Sequence, residues 1–415
     1  MLLHEDHNTP LVCVNTLFRV GSRDEHADRT GFAHLFEHLM FGGTTQIPDY
    51  DAVVEGAGGT SNAFTNADYT DYYLTLPAQA LDTALHLESD RMTNLNIDQH
   101  ALQVQQQVVT EEYHQRYINR PYGDAWLLLR PLCFTTHPYR WPTIGGDIRH
   151  VQQASLPDVQ NFYHQFYGPA NAILAIAGNM DLQQAKAHVE HYYGHIPAGT
   201  RNPGCYPREP VQTQPRRLTA RRNVPSDALY VCYPMPARTS PLFAAYDLMS
   251  DILSNGDSSR FAQRMVREKA LFTELDASVM GEMDDSLFVI QGKLTDGVEP
   301  RRGLAAIEQE LQALMRTTVP DDELQKVKNK AESAIAFSHY KAMDRAMSLC
   351  HYEYTGHVEW VNTLQKTYDA VTATDILRAA QACFRPEAQN VLFYQRTGGQ
   401  PSSPAADQPP QPISS

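Results

Sequence analysis

No stretch of this 415-residue chain holds the roughly 20 consecutive apolar residues that a membrane-spanning helix needs, so no membrane span is expected. Cysteine is sparse. The six lie far apart, at 13, 133, 205, 232, 350 and 383, with no Cys-x-x-Cys pair, which excludes a disulfide frame or a thiolate zinc ribbon and reads as reduced core thiols. Positive charge is also short, with 34 Lys and Arg against 48 Asp and Glu. The net charge of −14 and the lack of basic patches with interleaved aromatics argue against a nucleic-acid partner. What is present suits a soluble enzyme of two or three domains, since 42% hydrophobic residues suffice for real cores. Either the cytoplasm or the periplasm would accommodate it.

Against that background one segment stands out, His34-Leu-Phe-Glu-His38. On a helix, His34 and His38 stand one turn apart on the same face, within reach of one metal ion, and Glu37 lies beside them as a candidate general base. The run from Gly31 to Phe41 has no internal Gly or Pro, is apolar on most sides, and is closed by Gly42-Gly43, which predicts a buried helix. Burying two imidazoles and a carboxylate is costly unless a cation satisfies them. With 17 His in the chain, the pattern arises by chance in roughly one such sequence in 25, so it needs a further ligand to carry weight. A second cluster, His188, Glu190, His191 and His195, sits among Gln, Lys and Tyr and reads as a solvated helix face.

Catalytic zinc takes three protein ligands and leaves a fourth position for water. The best source of the third is VQQQVVTEEYHQRYINRPYG, a helix-like stretch that holds Glu111 and Glu112, the latter 74 residues beyond His38. Adjacent carboxylates are not separated by spacing alone.

With these residues in place, the chain resembles the pitrilysin/insulinase family of zinc peptidases, the inverzincins, whose His-x-x-Glu-His motif precedes a ligand glutamate by about 75 residues. GSRDE, NAFTNADYTDYY, ESDRM, HPYRWPTIG and YGPANAILAIAGN follow the family order, so the resemblance spans nearly the whole chain. It implies Zn2+ as cofactor, His34, His38 and Glu112 as ligands with Glu111 as fallback, and Glu37 as the base that activates water. The alternation in NAFTNADYTDYY suggests one strand, which the resemblance makes the edge strand that pairs with an extended peptide substrate, with Asn62, Ala63 and Phe64 as contacts. The implied fold is α+β, two homologous domains that each pack a mainly antiparallel sheet with helices, as in the mitochondrial processing peptidases. The implied activity is that of a zinc endopeptidase acting on peptides or unfolded segments in an enclosed chamber; the alternative is a peptide-binding or structural subunit with little or no turnover.

Three departures from the family bear on this. Many members carry a glutamate where this chain has Gln105, followed by Arg where it has Gln106, so support for the ligands differs. Members also bind the substrate carbonyl with an Arg and a Tyr seven residues apart; here Arg267 is present but the Tyr position is Glu274. A partner is therefore expected, a zinc-less homologue that carries the Arg/Tyr pair, with a homodimer as the alternative. Finally, members begin with a strand ahead of the position of Leu2-Leu3-His4-Glu5-Asp6, so this chain starts midway through what would be a first hairpin and an upstream signal peptide would be invisible.

A repeat divides the chain. Ser155-x-x-Asp158 lies 11 residues before Pro169 and the run AILAIAG; Thr372-x-x-Asp375 lies 11 before Pro386 and NVLFY. Each reads as a capped helix, a turn and a strand. The expected organisation is a zinc domain over 1–200, a proline-rich linker over 201–217, a homologous domain without zinc over 218–397, and a Pro, Gln and Ser rich disordered tail over 398–415. In the second half, PLFAAYDLMSDILSNGDSSR supplies the counterpart of the metal helix without an imidazole.

Overall fold

Strand segments in which both alternate faces are apolar must be covered on two sides. That condition holds for LVCVNTLF and ALYVCYPM, which become the central strands of two sheets in the computed structural model, whose described residues are 1–201 and 204–397. The expected tail from Gly398 lies outside the described residues. The first sheet contains β1 (Leu2–Glu5), β2 (Leu11–Phe18), β3 (Thr60–Thr65), β4 (Thr70–Pro77) and β5 (Ala172–Gly178), in the order β1-β5-β2-β4-β3. The second contains β6 (Arg216–Arg222), β7 (Ala228–Met235), β8 (Phe272–Val279), β9 (Ser286–Leu294) and β10 (Asn390–Arg396), in the order β6-β10-β7-β9-β8. The two orders are the same. In each sheet the outer pair, β1 with β5 or β6 with β10, is parallel and the others are antiparallel. The protein thus has two domains, each a mixed, mainly antiparallel sheet packed against helices.

The capped helices predicted at the repeat are present: Leu156–Phe166 follows a Ser155/Asp158 capping box and Ala373–Cys383 a Thr372/Asp375 box, leading into β5 and β10. Between Pro197 and Pro215 the described residues form neither helix nor strand. Three expectations are corrected. NAFTNADYTDYY is not one strand but the hairpin of β3 and β4, because Asn66 accepts the backbone N–H groups of Asp68 and Tyr69 in a tight turn. β1 and β2 do not form a hairpin, since β5 lies between them, and β1 makes only four register pairs where β6 makes seven. Cys205 is exposed rather than a core thiol, whereas the other five free cysteines are buried.

The faces of the two sheets are covered reciprocally. On β7, Leu229, Val231 and Tyr233 face their own domain's helices, while Ala228, Tyr230 and Cys232 meet Leu129 and Cys133 from the helix Ala125–Cys133, which precedes the linker. On β2, Val12 and Val14 face one way, and Cys13 and Leu17 meet Ala346 and Cys350 from the helix Ala342–Thr355 of the second half. Each half therefore lends a helix to the other's sheet.

A buried polar latch joins them as well. Arg23, from the GSRDE segment, reaches Asp68 at 2.9 Å, Asp284 at 3.0 Å and the Tyr354 hydroxyl at 2.8 Å. Arg130 pairs with Glu282 at 2.8 Å. Apolar burial supplies most of the cohesion, at about 25 cal/mol per Å² of area removed from water, while charges this deep fix which loops must meet.

Candidate metal centre

The helix Phe32–Leu39 begins at Gly31, whose φ of 90° is left-handed and where a Cβ would lie 2.7 Å from the Ile144 carbonyl oxygen. Only glycine fits there. The N–H groups of this helix end that have no partner within the helix are met by buried Glu25, which accepts from Gly31 and Ala33 at 2.8 Å each. Burial raises the Glu25 carboxyl well above its ordinary range, against the pull of those two donors. Phe32, Leu35, Phe36 and Leu39 enter the core, which leaves His34 and His38 on the remaining face, their rings 4.8 Å apart between centroids.

The helix Gln99–Tyr113 carries the third group against that face. Glu112 Oε2 lies 3.5 Å from His34 Nε2 and 3.3 Å from His38 Nε2. One ligand atom from each of the three residues falls within 4.8 Å of the others, and among the described residues this is the only such group of His, Cys, Asp or Glu. Two imidazole nitrogens and a carboxylate oxygen form a donor set suited to zinc with an open position. Burial pushes the His34 imidazole down to about 4 against the opposing charge of Glu112, which keeps it neutral, as a metal ligand must be. For Glu112, burial acts upward, but the bond to His38 and the charges of His34 and Arg116 bring the carboxyl below its usual range.

Glu37 is half-buried beside β3; burial raises its carboxyl, and a hydrogen bond with the Thr65 side chain opposes the rise. Glu111, one residue from the cluster, is exposed and takes no part in it. Gln105 makes no hydrogen bond to either imidazole, and His34 Nδ1 is buried without a partner among the described residues. Gln106 acts on the scaffold instead. Its amide donates to the carbonyls of Val151, Gln152 and Ala154 at 2.8, 3.2 and 3.0 Å and ties the metal-bearing helix to the end of the short helix Ile148–Gln152. Asn62, Ala63 and Phe64 lie on β3, which among the described residues pairs only with β4 and is an open edge of the first sheet. Arg267 is held by Asp257 at 3.2 Å, and Glu274, on β8, pairs with Lys293 at 2.9 Å. The second histidine cluster does not assemble; His188 and Tyr192 instead both bind Asp82.

Sequence reasoning missed three neighbours of the centre. Arg116 holds Glu112 Oε1 at 2.9 Å from a π turn, His114–Ile118, and leaves Oε2 to the histidines; its i,i+4 spacing from Glu112 was the available signal. Thr65 and Glu25 carried no comparable mark, because their partners are set by packing.

Comparison with known proteins agrees with this centre. The family model described as insulinase (peptidase family M16) matches residues 1–120, and the peptidase M16 inactive domain matches 153–331. The zinc protease PqqE of Helicobacter pylori is 27% identical over 94% of this chain and 88% of its own length. A crystal structure of a protease from Helicobacter pylori superposes with a TM-score of 0.88 at 25% identity, covering 95% of both chains. The periplasmic protease PqqL of Escherichia coli gives 0.76 at 18% identity, with 94% of this chain matching 46% of that one, a likeness of fold. The His-His-Glu cluster on its paired helices, two domains of one topology, and family models over both halves lead to one conclusion: the chain belongs to the M16, or insulinase, family of zinc metallopeptidases.

Proposed function

We propose that this chain is the zinc-bearing subunit of an endopeptidase that hydrolyses peptides or unfolded segments within an enclosed chamber, with Glu37 as its general base. The observation that carries the reading is the convergence of His34, His38 and Glu112 next to Glu37, on a helix packed beside an open strand edge. His34, His38 and Glu112 would hold the ion, which when bound supplies Lewis acidity to water and to a peptide carbonyl. Glu37 then takes a proton from the attacking water and returns it to the departing amine. β3 presents Asn62, Ala63 and Phe64 for pairing with an extended backbone, a mode that tolerates varied side chains. Gln105 and Glu111 flank the ligand set without entering it.

The partner in this proposal is a zinc-less homologue that supplies the Arg/Tyr pair, because Glu274 stands where the tyrosine belongs; a homodimer is the alternative. The proposed division is a zinc domain over 1–200, a linker over 201–217 and a homologous domain over 218–397, whose first strand, β6, begins two residues earlier, at Arg216. The test measures zinc content and peptide hydrolysis for wild type and Glu37→Gln, each with and without a zinc-less homologue that carries the Arg/Tyr pair. Zinc bound by both proteins and cleavage lost only in the variant support the enzyme. Zinc without cleavage under either condition favours a peptide-binding subunit, and absence of zinc a structural one.

A further inference from the structure

A cavity of about 790 Å³ opens between the segment 116–126, just past the metal-bearing helix, and strands β7, β8 and β9 of the second domain. Arg116, Arg120 and Lys293 line it with a single carboxylate, Glu274, in a chain whose net charge is −14. A local excess of cations on an acidic protein focuses an attractive field on anions. The three cations differ in how they are held. Arg116 is engaged by Glu112, and Lys293 by Glu274 at 2.9 Å and by the face of Tyr122, 5.4 Å from its centroid. The Arg120 side chain is exposed and has no hydrogen bond or ion pair with any described residue.

The wall is built at a conformational cost. Tyr122 has a φ of 62°, a left-handed conformation that a bulky side chain avoids. Its hydroxyl is fixed across the domain boundary, donating to the Ser226 carbonyl at 2.8 Å and accepting from the Ser226 N–H at 3.1 Å. Strain held in place by the surrounding structure is characteristic of ligand clamps. The cavity also adjoins the metal centre, since Arg116 both lines it and bonds a metal-ligand carboxylate.

From these observations we propose that the cavity is a subsite for a substrate carboxylate flanking the scissile bond, with Arg120 as its free cation and Lys293 as a second one for which Glu274 competes. The proposal rests on the peptidase reading above and adds a substrate class to it: peptides that carry an acidic side chain or a free C terminus at a set distance from the cut. Glu274, in this arrangement, tempers an anion site.

Binding of labelled ten-residue peptides to the zinc-loaded Glu37→Gln protein tests this apart from turnover. The peptides carry Glu, Gln or Lys at one position in turn and end in a free acid or an amide; kcat/KM on wild type is read for the same set. Acid-bearing peptides should bind about tenfold more tightly than their neutral counterparts. Added to that background, Arg120→Gln should reduce the preference to within about twofold, and Glu274→Gln should raise it by about threefold by freeing Lys293. Shifts of opposite sign from two substitutions in one cavity do not arise from misfolding. Preference that follows the free terminus assigns the carboxylate to the peptide end, and preference that follows Glu assigns it to a side chain. Equal binding of acidic and neutral peptides, tighter binding of the Lys series, or a preference that neither substitution changes overturns the subsite. Charge-dependent binding with no cleavage by wild type leaves the subsite standing and fails the peptidase reading alone.

Discussion

The two domains have the same strand order but use one helix differently. After β2, the helix Phe32–Leu39 gives its inward face to the core and another face to His34 and His38; after β7, the helix Phe243–Ser254 fills its inward positions with Phe243, Tyr246, Met249 and Leu253 and carries no imidazole. The scaffold therefore does not require the metal chemistry. Ligands on a buried helix need compensating partners, and the first domain supplies them: Glu25 at the helix start, Thr65 beside Glu37, Arg116 behind Glu112. The second domain contributes instead the loop with Glu282 and Asp284, which closes the latch on Arg130 and Arg23.

If that contrast is sound, damage to the metal helix should remove chemistry and spare the fold. His38→Ala, or removal of metal with a chelator, should lower peptide hydrolysis by about a thousandfold or more while far-UV circular dichroism stays unchanged, and added zinc should restore only the chelated wild type. A loss of overall structure on chelation would mean that the first domain, unlike the second, depends on its ion to fold.

The latch should matter next. Arg23→Ala leaves Asp68 buried without its cation and should cost about 3–5 kcal/mol, read as a shift in the urea midpoint. Leu129, fully buried on the second sheet although it comes from the first half, should cost about 2–5 kcal/mol when replaced by Ala. Both variants should still unfold in one transition, because each half covers the other's sheet; two separate transitions would show that the domains are not interlocked.

The smallest effect, at acid pH, concerns Asp71, buried on β4. Burial lifts its carboxyl to about 8, while the bond from Asn15 opposes and the charge of Glu88 adds to the rise. The folded protein therefore keeps a proton that the unfolded chain has released above about 4. Its stabilising contribution is present in full below that pH and is lost progressively as pH climbs toward 8. Asp71→Asn should change stability by about 1 kcal/mol or less below pH 4 and should flatten the decline, so that the variant becomes the more stable protein as pH rises toward 8. Identical pH profiles for the two proteins would refute this assignment.

Much of the site was legible because coordination chemistry restricts it. Two imidazoles one helical turn apart need a third donor, and only Glu111 and Glu112 lay at the right interval; the structure separates these two by the side of the helix each occupies. The repeat was legible through its capping boxes, since Ser155/Asp158 and Thr372/Asp375 satisfy helix starts within four residues of chain. Gln106 shows the limit. Read as a departure near the zinc, it proves to be a tether to three carbonyls some 45 residues away.

By itself, then, the sequence determined two candidate imidazole ligands, a choice of two adjacent carboxylates for the third, the general base candidate and the twofold repeat, because each depends on residue types at short, periodic spacing. Tertiary structure alone decided that β5 separates β1 from β2, that each half covers the other's sheet, and that Arg23 meets Asp284 across 261 residues. Those pairings follow from which apolar faces and buried charges fit together once the chain is compact, and no local period in the sequence records that fit.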